Sequence, residues 1–196
     1  LNRLERALVQ LDADLRALDL RWAVVGGIAI SVRARPRTTW DLDVAVAVTT
    51  DREAERVVLK FRERGYRERP DAAVLEQVEV GRLATIRLLA PAEQSDGLGV
   101  DLLFASSGVE TEIVASADLL ETFPGLFVPV AQLGHLLALK ILAGRPRDLE
   151  DCRALLAVAK PWDLNQATET LDLIDRRGFH RGKDLLAEFA RIREMR

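Results

Sequence analysis

Two aspartates, two residues apart, interrupt an otherwise apolar run, Trp40-Asp41-Leu42-Asp43-Val44-Ala45-Val46-Ala47-Val48. The valines make this run a strand, and aspartate is among the poorest strand formers, so the pair needs a reason. Side chains alternate faces with period 2, so Asp41 and Asp43 share one face while Leu42, Val44, Val46 and Val48 line the other. Small residues, Ala45 and Ala47, continue the acidic face. Carboxylates roughly 6–7 Å apart at their Cβ atoms can converge on a hard cation that takes oxygen ligands. Two solvated acids at a strand start are the plainer alternative.

The rest of the chain excludes several classes. At 196 residues it makes one domain or two small ones with a real core. A formal charge of −3 gives no global argument for nucleic acid, though local basic patches remain open. One cysteine, Cys152, and two histidines, His135 and His180, exclude an internal disulfide and a Cys/His zinc cluster. Cys152 reads as a small core residue on a helix. No apolar stretch reaches 18 residues, so no membrane span is expected. The first residues are too charged for the apolar segment of a signal peptide, and the cytoplasm is the expected location.

Along the chain, Leu4, Leu8, Leu11, Leu15 and Leu18 recur at helical spacing. Arg21 to Val25 reads as a buried strand that ends at Gly26-Gly27, and Ile28 to Val32 as a brief helix. An arginine-rich turn, Arg33-Ala34-Arg35-Pro36-Arg37, leads to the aspartate strand. Thr50 caps a helix over Asp51–Arg64 that Gly65 terminates. Val74–Val80 and Leu83–Leu89 form two strands around Gly81-Arg82, and Leu98–Phe104 forms another that contains Asp101. Residues Glu110 to Pro124 read as irregular, and Phe127 to Val130 as a short extended entry. Helices are then expected over about 131–143, 147–159, 163–177 and 183–194. The organisation expected is a mixed α/β unit over 1–108 followed by a mainly helical unit over 109–196.

The glycine pair lies between a strand and a helix start. Glycine lets a backbone approach a ligand, and amides at a helix N-terminus favour phosphate; a tight turn explains the pair equally well. Thirteen residues, Ile28 to Trp40, separate it from Asp41-Leu42-Asp43. Asp101, in Val100-Asp101-Leu102-Leu103-Phe104, would be costly if buried alone. A metal, a site shared with the first pair, or an arginine neighbour would each remove that cost.

Gly-Gly, then Asp-x-Asp, then a later strand aspartate, resembles the nucleotidyltransferase superfamily related in fold to DNA polymerase β. A second segment, Leu139-Lys140-Ile141-Leu142-Ala143-Gly144-Arg145-Pro146-Arg147-Asp148-Leu149-Glu150-Asp151, resembles the Lys…Arg-x-Arg/Lys-Asp-x-x-Asp motif of AbiEii-type nucleotidyltransferase toxins. Aminoglycoside and lincosamide nucleotidyltransferases carry a similar run. The likeness spans most of residues 20–155. It implies an α/β (α+β) nucleotidyltransferase core, a mixed sheet flanked by helices, followed by a C-terminal helical domain with the site in the cleft between them. It further implies that Asp41, Asp43 and Asp101 are catalytic, binding two Mg²⁺ ions. Gly26, Gly27, Thr38, Lys140, Arg145, Asp148 and Asp151 are implied to bind the nucleotide. Many members have Gly-Ser where this chain has Gly26-Gly27, so backbone amides would replace a hydroxyl contact.

The reaction implied is transfer of NMP from an NTP to an acceptor hydroxyl, with release of pyrophosphate. The AbiEii-like run implies a toxin that modifies the tRNA 3′ end, with a possible antitoxin partner. The alternatives are an enzyme that modifies a small molecule such as an aminoglycoside or lincosamide, and a non-catalytic or antitoxin-like binding module. Arg33, Arg35 and Arg37 are either a solvated loop or a phosphate grip. The segment from Arg176 to Arg196, with seven Lys/Arg against three Asp/Glu, is either a solvated helix face or an RNA contact.

Overall fold

A twisted mixed sheet organises the molecule, and the aspartate strand lies near its centre. The computed structural model describes residues 2–69, 75–77, 83–91 and 97–194. The expected strand residues at 74 and 78–80, and the Gly81-Arg82 turn, lie outside them.

In chain order the described elements begin with helix α1 (Arg3–Ala17), strand β1 (Trp22–Val25), α2 (Gly26–Arg33), β2 (Asp41–Val46) and α3 (Asp51–Glu63). Strands β3 (Arg67–Glu68), β4 (Leu75–Gln77), β5 (Leu83–Leu89) and β6 (Gly99–Leu103) follow. Next come α4 (Glu110–Ala115), β7 (Asp118–Phe123), β8 (Leu126–Val130), α5 (Leu133–Ala143), α6 (Pro146–Val158), α7 (Pro161–Arg176) and α8 (Leu185–Glu194). The strands form one sheet in the order β3-β5-β6-β2-β1-β8-β7, with β4 also paired to β5. β2 runs parallel to β6 and antiparallel to β1, and β8 runs parallel to β1.

The local chemistry explains most of these elements. Asn2 caps α1 by accepting from the Glu5 amide at 2.8 Å, and the Glu5 carboxylate accepts from the Asn2 amide at 3.2 Å. Thr50 caps α3 as expected, accepting from the Glu53 amide. Pro146 and Pro161, one and two residues before the expected helix starts at 147 and 163, are the first residues of α6 and α7, where a missing N–H costs nothing. Helix α2 begins at Gly26 rather than Ile28, so the glycine pair is its first turn.

One stretch departs from expectation. Residues 110–124 are not irregular: they hold α4 and β7, and β7 turns through Gly125 into β8. α4 has six residues, too few to show a helical period, and β7 lacks clean alternation because it is an edge strand. Since β8 pairs with β1, the sheet takes strands from both sides of residue 108.

α5 is buried on nearly every side, including Leu136, Leu137, Ala138, Ile141 and Leu142. A helix that apolar serves as a hub, and α6, α7 and α8 pack around it. Among the described residues no helix is long and apolar enough to cross a membrane.

Candidate active site

Parallel pairing of β2 with β6 sets Asp43 opposite Asp101 and Asp41 opposite Gly99. Adjacent strands lie about 4.8 Å apart, so two carboxylates face one another across the ladder. On the far side of β6, antiparallel β5 sets Arg87 opposite Asp101, with Nε 3.5 Å from Asp101 Oδ2. The other oxygen, Asp101 Oδ1, is buried without a hydrogen-bond partner. Burial pushes the Asp101 carboxyl up to about 6; Asp43 adds to the rise and Arg87 opposes it. Burial likewise raises Asp43, against the attraction of Lys140, and Asp41 adds to the rise.

Gly26, the first residue of α2, follows β1 beside this pair. Its φ of +62° suits glycine, and a Cβ there would fall 1.9 Å from Asp43 Oδ2. The neighbouring Gly27 backbone amide opposes the rise of the Asp43 carboxyl. A Cβ on Gly27 would meet Thr39 Oγ1 at 2.5 Å. Both glycines are required by close approach within the protein.

Opposite the sheet, α5 and α6 present a charge cluster. Lys140 Nζ lies 2.8 Å from Asp148 Oδ1 and 2.9 Å from Asp151 Oδ2. Asp148 accepts from Arg145 through both its amide at 3.0 Å and its Nε at 2.8 Å. Arg37 pairs with Asp151. Asp148 and Asp151 are buried beneath the basic groups and hold them in place.

A cleft of about 320 Å³ joins the two halves, lined by Gly26, Asp43, Asp101, Arg87, Lys140 and Arg145, among others. Asp41 shares the acidic face, but its Oδ1 is turned toward Arg69 at 3.8 Å. Among the described residues, no group of three acids, histidines or cysteines is already drawn together as a metal-holding set. Even so, the donors suit a divalent cation: two carboxylates in register repel one another, and one buried oxygen lacks a partner. Thr38 is not brought into the cleft. It lines a separate hollow of about 480 Å³ with Trp40 and Phe123, and its carbonyl accepts from Arg147 at 2.7 Å.

Several basic side chains reach partners within the protein, while Arg176, Arg177, Arg181, Arg191 and Arg193 remain exposed. Arg33 donates to the Val130 and Ala131 carbonyls and pairs with Asp118 at 2.6 Å. Of the expected arginine turn, Arg35 is the exposed member. Arg177 reaches the Gly108 carbonyl and Glu112. Arg181 donates to Ser106, and Lys183 donates to the carbonyls of Leu142 and Ala143 at the end of α5. These groups fasten the helical half to the cleft, which the sequence alone could not distinguish from a solvated or RNA-facing patch.

Several cleft residues escaped the sequence reading. Thr85 and Arg87 share a face of β5, and period-2 alternation around Ile86 is the signal that marks them. Ser107 lines the cleft through the buried Glu110, whose carboxylate accepts from the Ser107 amide at 2.7 Å and hydroxyl at 2.9 Å. No local pattern announces that pair. His135 and Cys152 are core groups: burial lowers His135 to about 4 and raises the Cys152 thiol to about 12.

The fold has counterparts among known proteins. A family model described as "Nucleotidyl transferase AbiEii toxin, Type IV TA system" matches residues 6–195. The antibiotic-resistance factor ANT(2″)-Ia, in complex with adenylyl-2″-tobramycin, has a similar structure, with TM-score 0.51 and 16% identity over 89% of this chain and 98% of that one. Its solution structure gives TM-score 0.50 and 16% identity over 89% and 90%. The lincosamide antibiotic adenylyltransferase LnuA, bound to lincomycin, gives 0.48 and 12% over 79% and 98%. No curated protein matches significantly.

Proposed function

The chain belongs to the AbiEii nucleotidyl transferase toxin family, and on that premise we propose that it transfers NMP from an NTP to the 3′ hydroxyl of tRNA, as the toxin of a toxin–antitoxin pair in the cytoplasm. The observation that carries this reading is the register of Asp43 against Asp101 beside Gly26, faced by Lys140 and Arg145 across one cleft.

In this reading Lys140 and Arg145 hold the β and γ phosphates, and Asp148 and Asp151 keep both cations in place. Gly26 leaves room for the triphosphate to approach Asp43. The carboxylates of Asp43 and Asp101, joined by Asp41, would hold two Mg²⁺ ions. Bound there, the metal would offset phosphate charge and ease ionisation of the attacking hydroxyl. Asp101 accepts the acceptor's proton as general base. The acceptor oxygen bonds to the α-phosphorus as the α–β bridging bond breaks, and pyrophosphate leaves.

The test incubates the protein with each α-labelled NTP, Mg²⁺ and total tRNA, and follows label into RNA. Labelling that disappears when the tRNA 3′ diol is first cleaved with periodate supports the reading. No labelling with any NTP, alongside modification of an aminoglycoside, overturns it.

A further inference from the structure

The turn that joins α7 to α8 closes one end of the cleft. Phe179 anchors it: the ring is buried, and a Cβ on Gly108 would lie 2.5 Å from it. His180 ties the turn together, its Nδ1 accepting from the Gly182 amide and its carbonyl from the Lys183 amide, each at 3.1 Å. Between these residues stands Arg181, which lines the cleft and donates through Nη2 to the Ser106 carbonyl at 3.0 Å and hydroxyl at 3.3 Å. The receiving loop is itself fixed, because the buried Glu110 carboxylate holds the amide and hydroxyl of Ser107.

Two features set Arg181 apart. Its φ is +54°, in the left-handed region that favours glycine, and glycine fills that region elsewhere in the turn, at Gly178 and Gly182. Among the described residues the other non-glycine case is Asp19, whose short polar side chain tolerates it. Strain of this kind gathers where a side chain must be aimed at a ligand. The second feature is electrostatic. Of the basic residues that line the cleft, Lys140 and Arg145 pair with Asp148, and Arg87 faces Asp101. Arg181 is exposed and, among the described residues, meets neutral oxygens and no carboxylate.

We propose that Arg181 is a substrate-binding residue of this reaction, and that its guanidinium grips the γ-phosphate of the NTP. This rests on the nucleotide-transfer reading above and deepens it. The turn is seated on the flank assigned to the phosphates: Lys183 Nζ would lie 2.7 Å from a Cβ on Gly144, the residue before Arg145. Lys183 also covers the Leu142 and Ala143 carbonyls, which would otherwise repel an anion at the end of α5. Lys140 and Arg145 already balance buried carboxylates, so a triphosphate needs a cation not yet neutralised. Ser106 lies five residues past Asp101, so its arginine stands away from the aspartates, where the outermost phosphate falls and the reacting one does not. The three terminal oxygens of that phosphate suit the guanidinium fork.

The experiment compares the full chain with Arg181→Gly and Arg181→Lys. Calorimetric titration uses the α,β-methylene analogues of the four NTPs and of the matching NDPs, in Mg²⁺. For the NTP analogue that binds tightest, Arg181→Gly should weaken affinity about tenfold or more, the loss of a charged hydrogen-bond partner. The matching NDP analogue should bind as it does to the wild type. Arg181→Lys keeps a point charge without the fork and should recover part of the loss. Glycine suits the positive φ, so the melting temperature of Arg181→Gly should be no lower than that of the wild type. A lower one makes Arg181 a structural strap and overturns the proposal. Unchanged affinity for the NTP analogue overturns it too, as does an equal loss for the NDP analogue or a loss confined to tRNA binding. Arg181-dependent selection of NTP over NDP without NMP transfer to any RNA would refute the tRNA-transfer reading while upholding this site. Transfer to tRNA with a KM for NTP that ignores Arg181→Gly would do the reverse.

Discussion

Replacing Asp101 by asparagine should make the metal-free protein more stable near neutral pH while removing its activity. The Asp101 carboxyl rises from 3.8 to about 6 through burial and the neighbouring Asp43. Between those values the folded state keeps a proton that the unfolded state has released. Stability therefore falls as pH climbs from about 4 to about 6, and stays at the lower level above. At about 1.4 kcal/mol per pH unit this amounts to roughly 3 kcal/mol. Asparagine has the same shape and no charge to bury, so its stability lacks that drop. That figure is already net of the opposing attraction of Arg87. The gain near pH 7.5 is then about 3 kcal/mol, or roughly 6–12 °C in melting temperature for a chain of this size. Thermal and urea unfolding of both proteins in EDTA, at several pH values from 4 to 8, reads this directly. The two curves should converge at the acid end. Added Mg²⁺ should narrow the gap at neutral pH by stabilising the wild type. An Asp101→Asn protein less stable than wild type at pH 7.5 in EDTA, or a gap that does not change with pH, refutes the reasoning.

Lys140→Met should cost about 3 kcal/mol of stability, because it strands Asp148 and Asp151, whose side chains are 2% and 6% exposed; retained contacts with Arg145 and Arg37 keep the cost at the low end of the range for a broken buried pair. Denaturant unfolding checks this, and adding Asp148→Asn should recover part of the loss. Asp43→Asn should lower NMP transfer by roughly three decades or more, through loss of charge stabilisation worth several kcal/mol, with far-UV circular dichroism unchanged. Gly26→Ala should impair both folding and transfer, since its Cβ would sit 1.9 Å from Asp43 Oδ2 on a backbone with positive φ; expression yield, melting temperature and the labelling assay read both effects. Lys183→Ser should cost on the order of 1 kcal/mol by uncapping α5, without changing the salt slope of RNA binding.

The aspartate strand was legible because its signal is local: valines fix the strand, and period 2 fixes which side chains share a face. The same holds for the cap at Thr50, for the Gly26-Gly27 turn and, to within about two residues, for the C-terminal helices. α4 and β7 were not legible. A six-residue helix shows less than two turns of periodicity, and an edge strand has no uniform burial on either face. For Lys140 the sequence offered a choice between a snorkelling helix residue and a phosphate ligand. Only α6 folding back against α5 showed its ammonium held by two buried aspartates while still lining the cleft.

Charge roles were the least readable part, for a physical reason. Arg33 finds partners 85 to 98 residues away, Arg177 and Arg181 find theirs 65 to 75 residues away, and Lys183 finds its partners 40 and 41 residues away. A basic run has the same composition whether it faces solvent, RNA or the protein's own carbonyls, and only the chain's return path selects among them. Strand alternation likewise put Asp41 and Asp43 on one face, but it could not choose their neighbours. Pairing register between strands far apart in sequence set Asp101 against Asp43 and Arg87 against Asp101. The sequence by itself determined the acidic strand and its chemistry; the tertiary structure decided which charges meet it, because register and helix docking are settled by burial summed over the whole core and not by any one segment.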